Sequence, residues 1–313
     1  MNERTMTVVI PTFRPGGSFR TLLERLARQT ERPQRVLIVN TGREDFPQDA
    51  EKAYPGAEVI HIRREEFDHG GTRDMAARMC ETDLVVFMTQ DAVPADSHLL
   101  EKLSAAFGDP GVGAAYARQL PAKDAGPIER YTRRFNYGPE SMVKSASDLD
   151  RLGVQTYFCS DVCAAYRLST WRALGGFEHP AIFNEDMIYA AGLIGAGGKV
   201  AYCADARVIH SHNYGPVRQL HRNFDLGVSQ AQHPEIFQKA GASEGTGIRL
   251  VRETAGWLIK NGYAARLPEL FVTSAFKYAG YRLGKAYRHL PYPLILKLTD
   301  NRPYWDKVKK ENQ

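Results

Sequence analysis

The chain has 313 residues, of which 43% are hydrophobic and 25% are charged, as is typical of a globular protein with one large domain and an appendage. No stretch reaches the ~18 apolar residues that a transmembrane helix needs, and the first apolar run is too short for a signal peptide. These features argue against an integral membrane protein and lead us to expect a cytoplasmic one.

The net charge of +5 is unevenly distributed along the chain. From Arg249 to the C-terminus there are thirteen Lys and Arg but only five Asp and Glu, a balance of +8. A basic segment of this kind can meet an anionic membrane, nucleic acid or an acidic partner, or it can simply form solvated helix faces. The first 200 residues lack basic patches interleaved with aromatic residues, so we expect no nucleic-acid partner there.

The first 120 residues alternate between apolar strand-like runs and amphipathic runs. The patterns predict strands at 7–11, 35–40, 57–62, 84–88 and 111–120, and helices at 18–29, 71–81 and 97–107. Since the strands are apolar throughout, they indicate an α/β fold with a mostly parallel sheet and helices on both faces. We expect Ser18 to cap the first helix, and we expect inward faces formed by Phe19, Leu22, Leu23 and Leu26 and by Met75, Ala76 and Met79.

The remainder of the chain is less regular. Residues 121–156 are polar and are predicted to form a loop, whereas 162–177 resume strand and helix. A helix is predicted after the paired acids at 185 and 186, and two short strands are predicted within 199–213. From about 215 onward the patterning is helical.

Polar residues follow three of the predicted strands. They are Pro11-Thr12, Asn40-Thr41 and Gln90-Asp91, and ligands of parallel sheets bind at the carboxyl ends of strands. Asp91 is a candidate ligand for a hard cation such as Mg²⁺, which uses one or two carboxylates together with substrate phosphates. The alternative role, capping the next helix, is already available to Asp96-Ser97.

Three further motifs are candidates for chemistry. In FDHGGTRD (67–74), Gly71 and Arg73 could meet phosphate at a helix N-terminus, or form only a tight turn and a solvated face. Glu185 and Asp186 could include a general base, although acids at a helix start are also explained by the helix dipole. His210 and His212 share one side of a strand end, where either histidine could bind a metal ion.

The order of these motifs resembles the family-2 inverting glycosyltransferases of the GT-A fold, over roughly residues 6–215. The landmarks are VVIPTFRP, IVNTG, HGGTRD, MTQDAVP, FNED and VIHSH. The pairing of FDHGGTRD with TQDAVP is similar to bacterial rhamnosyltransferases that use dTDP-L-rhamnose to build O-antigen or another surface polysaccharide. One base and one cation site also suit a single displacement, whereas a glycosidase needs two flanking carboxyl groups.

The resemblance implies a role for each matching residue. Residues that would contact the nucleotide-sugar are Pro11, Thr12, Asn40, Gly71, Arg73, Gln90 and Asp91. Asp91 would match the metal-binding acid of an Asp-x-Asp signature, and His210 or His212 would complete a site for Mg²⁺ or Mn²⁺. Asp186 would be the catalytic base, with Glu185 beside it. The first acid of the signature is replaced by Thr89 and the usual Asp of the second strand by Asn40-Thr41, so fewer protein charges would hold the cation.

We therefore expect a catalytic domain at 1–215 and a helical extension at 216–313. The partners would be a nucleotide-sugar donor and a glycan or lipid-linked acceptor. The extension would contact a second copy of the chain or the inner surface of the cell membrane. Two alternatives remain at this point, namely a sugar-nucleotide pyrophosphorylase and a degenerate, non-catalytic binding module.

Overall fold

A mixed sheet organises the first 210 residues of the chain. The structure is a computed structural model that describes residues 4–47, 50–237 and 244–311. In the described residues the strands are β1 (Met6–Phe13), β2 (Arg35–Thr41), β3 (Glu58–Ile62), β4 (Leu84–Met88), β5 (Val93–Pro94), β6 (Val112–Leu120), β7 (Met142–Lys144), β8 (Cys163–Arg167) and β9 (Lys199–Ile209).

Helices cover the sheet and form the C-terminal part of the chain. They are α1 (Gly17–Leu26), α2 (Ala50–Ala53), α3 (His69–Arg78), α4 (Leu99–Ala105), α5 (Pro127–Asn136), α6 (Leu149–Leu152), α7 (Leu168–Ala173), α8 (Glu185–Gly195), α9 (Pro216–Gln232), α10 (Pro234–Phe237), α11 (Glu244–Lys260), α12 (Leu267–Lys285), α13 (Tyr292–Leu298) and α14 (Arg302–Glu311). Within the described ranges, no helix combines the length and the apolarity needed to cross a membrane.

The strand order is β3-β2-β1-β4-β8-β6-β9-β5, with β7 also paired to β9. The strands from β3 to β4 are parallel, as predicted, and β6 is parallel to β9. Strand β8 runs antiparallel to both β4 and β6. The α/β fold with a mostly parallel sheet is therefore confirmed, and its second half is mixed.

Both faces of the central strands are buried, which explains their continuous apolar sequences. On β1, Val8 and Ile10 pack with the predicted apolar face of α1. Val9 points to the opposite side, where Phe87 and Trp171 belong to a second core. Because each strand is enclosed on two sides, its carboxyl end is the part of it that can present polar groups to a ligand.

Several local predictions were wrong, and each has a structural reason. Strand β1 continues through Pro11, and α1 begins at Gly17 after Gly16, so Ser18 is not the cap. Met75 of α3 and Met79, one residue beyond its end, are exposed, because α3 buries Thr72, Arg73 and Asp74 instead and Arg73 pairs with Asp161.

The region predicted as a loop contains secondary structure, and the region predicted as two strands contains one. Residues 121–156 include α5, β7 and α6. Strand β9 is continuous from Lys199 to Ile209. Its pairing with β6 shifts register between Ala117 and Arg118, and this shift accommodates the extra residues in the middle of β9.

The start of α3 packs directly on the segment that precedes α8. Asp68 caps α3 by accepting a hydrogen bond from the Gly71 N–H at 2.8 Å, and its carboxylate also accepts the N–H of Ala181. A methyl group at Gly70 would overlap the carbonyl oxygen of Glu178. Glycine at position 70 is therefore required by close packing of two backbones.

We predict opposite stability effects for two helical glycines. Gly70→Ala should destabilise the fold by about 1–3 kcal/mol, because the added methyl group forces the two segments apart. Gly192→Ala, at an exposed site of α8 with open space around it, should stabilise by up to about 1 kcal/mol through helix propensity. Urea unfolding of both variants measures the difference, and equal effects would contradict this account of Gly70.

Candidate active site

The ends of β1, β2 and β4 converge as predicted. The Thr12 hydroxyl donates to the Asn40 side-chain oxygen at 3.0 Å. The Gln90 side chain accepts the N–H of Phe13 at 2.8 Å and donates to the Phe13 carbonyl at 3.1 Å. Asn40 in turn contacts the ring of His61 at 3.1 Å. Pro11 precedes Thr12 on the same strand, so these predicted residues lie along one sheet edge.

Asp91, His210 and His212 form a cluster at the same edge. The short strand β5 pairs with the last residues of β9, and this pairing brings the turn that follows β4 beside the histidines. The Nε2 atoms of His210 and His212 lie 3.5 and 3.3 Å from the Asp91 carboxylate. One candidate ligand atom of each residue lies within 4.8 Å of the others. The sequence left a choice between the two histidines, and the structure brings both to Asp91.

The ring orientation of His210 suits a metal ligand. Its Nδ1–H donates to the side-chain oxygen of Gln119 at 2.9 Å, which leaves the lone pair of Nε2 directed at Asp91. Burial lowers the pKa of His210 to about 3, so the imidazole is neutral and able to bind a cation. The lone pair of His210 Nε2, the nearby Nε2 of His212 and the Asp91 carboxylate could together hold a divalent cation.

The chemistry of these ligands also bears on which cation fits. Two imidazoles and one carboxylate are typical of first-row transition metals, whereas Mg²⁺ prefers oxygen ligands. The hydroxyl of Thr89, at the first position of the acidic signature, is buried without a hydrogen-bond partner among the described residues.

The paired acids at the start of α8 lie in a second cluster around Arg73. The Arg73 guanidinium is 3.2 Å from Glu185 and 3.3 Å from Asp161, and all three side chains are buried. Asp186 is less buried, and its carboxylate accepts the N–H groups of Asp161 at 3.1 Å and of Met187 at 2.8 Å.

The environment of this cluster raises the pKa of two of its carboxyl groups. Burial, together with the charges of Asp161 and Glu185, holds the pKa of Asp186 well above its usual range. Burial likewise raises the pKa of Asp161 to about 7, although the charge of Arg73 opposes the shift. A carboxylate with a raised pKa can accept a proton near neutral pH, as a general base must.

Gln119 connects the two clusters. Its amide oxygen accepts from His210 and from Arg133, and its NH₂ group donates to the Ser160 hydroxyl at 3.0 Å. Ser160 precedes Asp161, whose N–H donates to Asp186. His210 is therefore linked to Asp186 through the Gln119 side chain and the Ser160-Asp161 backbone.

Gly71 and Arg73 have partners other than the ones predicted. The N–H of Gly71 is used by Asp68, and Arg73 is buried between two carboxylates rather than on a phosphate-facing surface. The contacts of Arg73 hold the acidic cluster together, whereas the N–H of Gly71 belongs to the cap of α3.

Two cations from the C-terminal helices were missed by sequence reasoning. The Arg222 guanidinium of α9 lies 5.4 Å from the ring centres of Tyr214 and Phe183. Burial lowers the pKa of Lys277 of α12, and the charges of Arg133 and Arg222 add to that effect. In the described part of the chain, neither Arg222 nor Lys277 forms a salt bridge. The sequence offered only a weak indication of Arg222, namely its position in the helical stretch that follows the His-x-His motif.

Comparison with known proteins identifies the family. The model of the family described as "Glycosyl transferase family 2" matches residues 7–174. The chain belongs to glycosyl transferase family 2. It is 38% identical over 305 residues to "O-antigen chain rhamnosyltransferase RfbN" of Salmonella typhimurium, with 97% of each chain covered. It is also 38% identical over 307 residues to "O-antigen chain rhamnosyltransferase WbaN" of Salmonella anatum, with the same coverage.

Two solved structures share the fold. The mannosyltransferase PcManGT from Pyrobaculum calidifontis, in complex with GDP-Man and Mn²⁺, superposes with a TM-score of 0.61 at 17% identity, covering 91% of this chain and 88% of that one. TarS 1–349 of S. aureus, in complex with UDP-GlcNAc, gives 0.52 at 14% identity, with 91% and 92% covered. The chain is therefore a GT-A glycosyltransferase, which transfers a sugar from a nucleotide-sugar to a saccharide, and not a pyrophosphorylase or a non-catalytic module.

We predict a large stability loss when the guanidinium of the acidic cluster is removed. Arg73→Met should cost about 3–5 kcal/mol, because it leaves buried carboxylates without their counter-charge. Arg266→Met, which breaks a pair with Glu269 whose side chains are both more than half exposed, should cost less than about 1 kcal/mol. Thermal and urea unfolding near neutral pH provide the measurement. Comparable losses for the two variants would show that the cluster is not held by Arg73.

Proposed function

We propose that the chain transfers L-rhamnose from dTDP-L-rhamnose to a saccharide of O-antigen or a related surface polysaccharide, with inversion at the anomeric carbon. The relatives named as O-antigen chain rhamnosyltransferases, which match over nearly the whole chain, support the sugar and the pathway class. The observation that carries the mechanism is the cluster of Asp91, His210 and His212, which Gln119 and the Ser160-Asp161 backbone link to Asp186. The acceptor would be a glycan, free or linked to a lipid.

The nucleotide would bind along the edge formed by β1, β2 and β4. Pro11, Thr12 and Asn40 would line the pocket of the base, with Gln90 holding the backbone of Phe13 in place. Asp91, His210 and His212 would hold a divalent cation, and their nitrogen-rich ligand set favours Mn²⁺ over Mg²⁺. When bound, such a cation supplies positive charge to neutralise the diphosphate as it leaves.

Asp186 is the base we propose for the acceptor hydroxyl. Glu185 is the weaker candidate, because its carboxylate is buried and paired with Arg73. As Asp186 takes the hydroxyl proton, the acceptor oxygen forms a bond to the anomeric carbon and the bond from that carbon to the diphosphate breaks. The products are the inverted glycoside and dTDP, and no second protein acid is needed.

Arg222 and Lys277 would stabilise the departing diphosphate from the side of the helical extension. Neither forms a salt bridge within the described residues, and Arg222 lies close enough to His212 and Lys277 for its charge to act on both. Preorganised cations placed where negative charge develops lower the barrier to reaction.

We retain the division into a catalytic domain at 1–215 and an extension at 216–313 as a proposal, with the extension completing the donor site. Residues 1–3, 48–49, 238–243 and 312–313 of these ranges lie outside the described residues.

We predict that Asp186→Asn lowers the rate of rhamnose transfer by about 10²–10⁴-fold while dTDP-L-rhamnose still binds, since a general base acts on the reaction and not on the donor. Asp205→Asn, at an exposed site of β9, should leave the rate unchanged. Product formation is measured by release of dTDP, and binding by calorimetry with Mn²⁺. Turnover of another nucleotide-sugar in preference to dTDP-L-rhamnose would overturn the donor assignment.

We predict that Arg222→Gln and Lys277→Met weaken binding of dTDP about tenfold each, as expected for loss of one charge-assisted contact. Binding of dTMP should change much less, because it lacks the second phosphate. Lys297→Met, an exposed lysine of the same extension, serves as the control. If dTDP and dTMP lose affinity equally, the two cations do not bind the diphosphate.

A further inference from the structure

Helix α12 carries an apolar arc on the side that faces away from the rest of the protein. Phe271, Val272 and Tyr278 are 55%, 49% and 53% exposed, and Ala275 and Ala279 are also exposed. With successive residues 100° apart around a helix, these five positions fall within an arc of about 120°. We call these five residues the outer face of α12. An exposed helix face is normally polar, so a contiguous apolar one indicates a binding surface.

The opposite side of α12 packs on α9. Gly280 and Gly284 lie against the backbone of α9, where a side chain would overlap the carbonyl oxygens of Leu220 and Phe224. Lys277, on the same side, lies within electrostatic reach of Arg133 and Arg222. Apolar residues therefore lie on both sides of α12: Leu270, Gly280 and Gly284 are buried on the inner side, whereas the outer face is exposed.

Charge decides which partner fits the outer face. The segment from Arg249 to the C-terminus has a balance of +8, and Arg266, Arg282 and Lys285 lie at the two ends of α12. A second copy docked on this face would bring two such segments together and would be opposed by their repulsion. An anionic lipid surface instead attracts each nearby Lys or Arg by about 1 kcal/mol.

The edge of the outer face has the geometry of an interfacial helix. Arg282 donates to the hydroxyl of Tyr278 at 3.0 Å, which places a guanidinium beside an amphipathic ring. In membrane-surface helices, arginine and tyrosine keep their polar ends at the headgroups while their apolar parts lie deeper.

We propose that the outer face of α12 docks on the anionic surface of a membrane. The helix would lie in the plane of the interface, with the cations of the donor site about one helix diameter, ~10 Å, above the lipid. The inference deepens the proposed function, because it supplies the surface from which a lipid-linked acceptor would reach Asp186. Docking itself needs no turnover, so it can be tested separately.

The first test is flotation of the full-length protein with vesicles of phosphatidylcholine, with or without phosphatidylglycerol. We expect binding only to the anionic vesicles, and weaker binding as the salt concentration rises. The double variant Phe271→Ser/Tyr278→Ser should bind at least about tenfold more weakly, because two aromatic side chains no longer enter the interface. Val143→Ser, which removes an exposed apolar residue from β7, should bind as the unaltered protein does.

A second variant reports insertion directly. Ala275→Trp places a fluorophore in the middle of the outer face. After subtraction of the emission of the unaltered protein, which has three other tryptophans, the remaining emission should shift to shorter wavelength only with anionic vesicles. Sedimentation of the double variant and the unaltered protein tests the competing occupant. The proposal is overturned if the double variant floats normally, or if it converts a dimer into monomers without changing vesicle binding. Absence of rhamnose transfer to a soluble acceptor would instead refute the proposed function and leave docking standing.

Discussion

One buried guanidinium holds together three distant parts of the chain. Arg73 comes from α3, Asp161 from the turn before β8 and Glu185 from the first turn of α8. A charge in this position is costly to desolvate and is tolerated only because two carboxylates surround it. The three segments therefore cannot move independently, and the position of Asp186 follows from theirs. The stability of the fold and the placement of the proposed base depend on the same contact.

The Gln119 side chain extends this constraint to the histidines. Its oxygen accepts from two donors and its nitrogen donates to hydroxyl groups, so the amide has one orientation that satisfies all of its partners. That orientation fixes the tautomer of His210. The residues proposed to hold the cation and the residue proposed to take the proton are consequently arranged by a common framework, which sequence separation alone would not suggest.

Much of this architecture could be predicted from the sequence, because continuous apolar runs define central strands and the residues that follow them must meet at one edge. The convergence of Asp91 with the histidines followed from that rule. The burial of the Arg73 side chain could not be predicted. Its partners are remote in the chain, and an arginine at this position of a helix is usually solvated. For the same reason Met75 and Met79 were assigned to the core, when ionic contacts on α3 outweigh their hydrophobicity. Asp161, Arg222 and Lys277 lacked any local motif and became visible only through their neighbours.

One side of α12 packs on α9 and carries Lys277, and the other side carries exposed apolar residues. A deletion of the C-terminal helices would remove Lys277, the glycine contacts with α9 and the exposed aromatic residues together. Loss of activity in such a truncated protein would therefore have no unique cause. Natural variation in the length of α12 is restricted in a similar way. An insertion of one residue would rotate the part of the helix beyond it by 100°. Only insertions close to whole turns would keep both the contacts with α9 and the exposed apolar residues on their present sides.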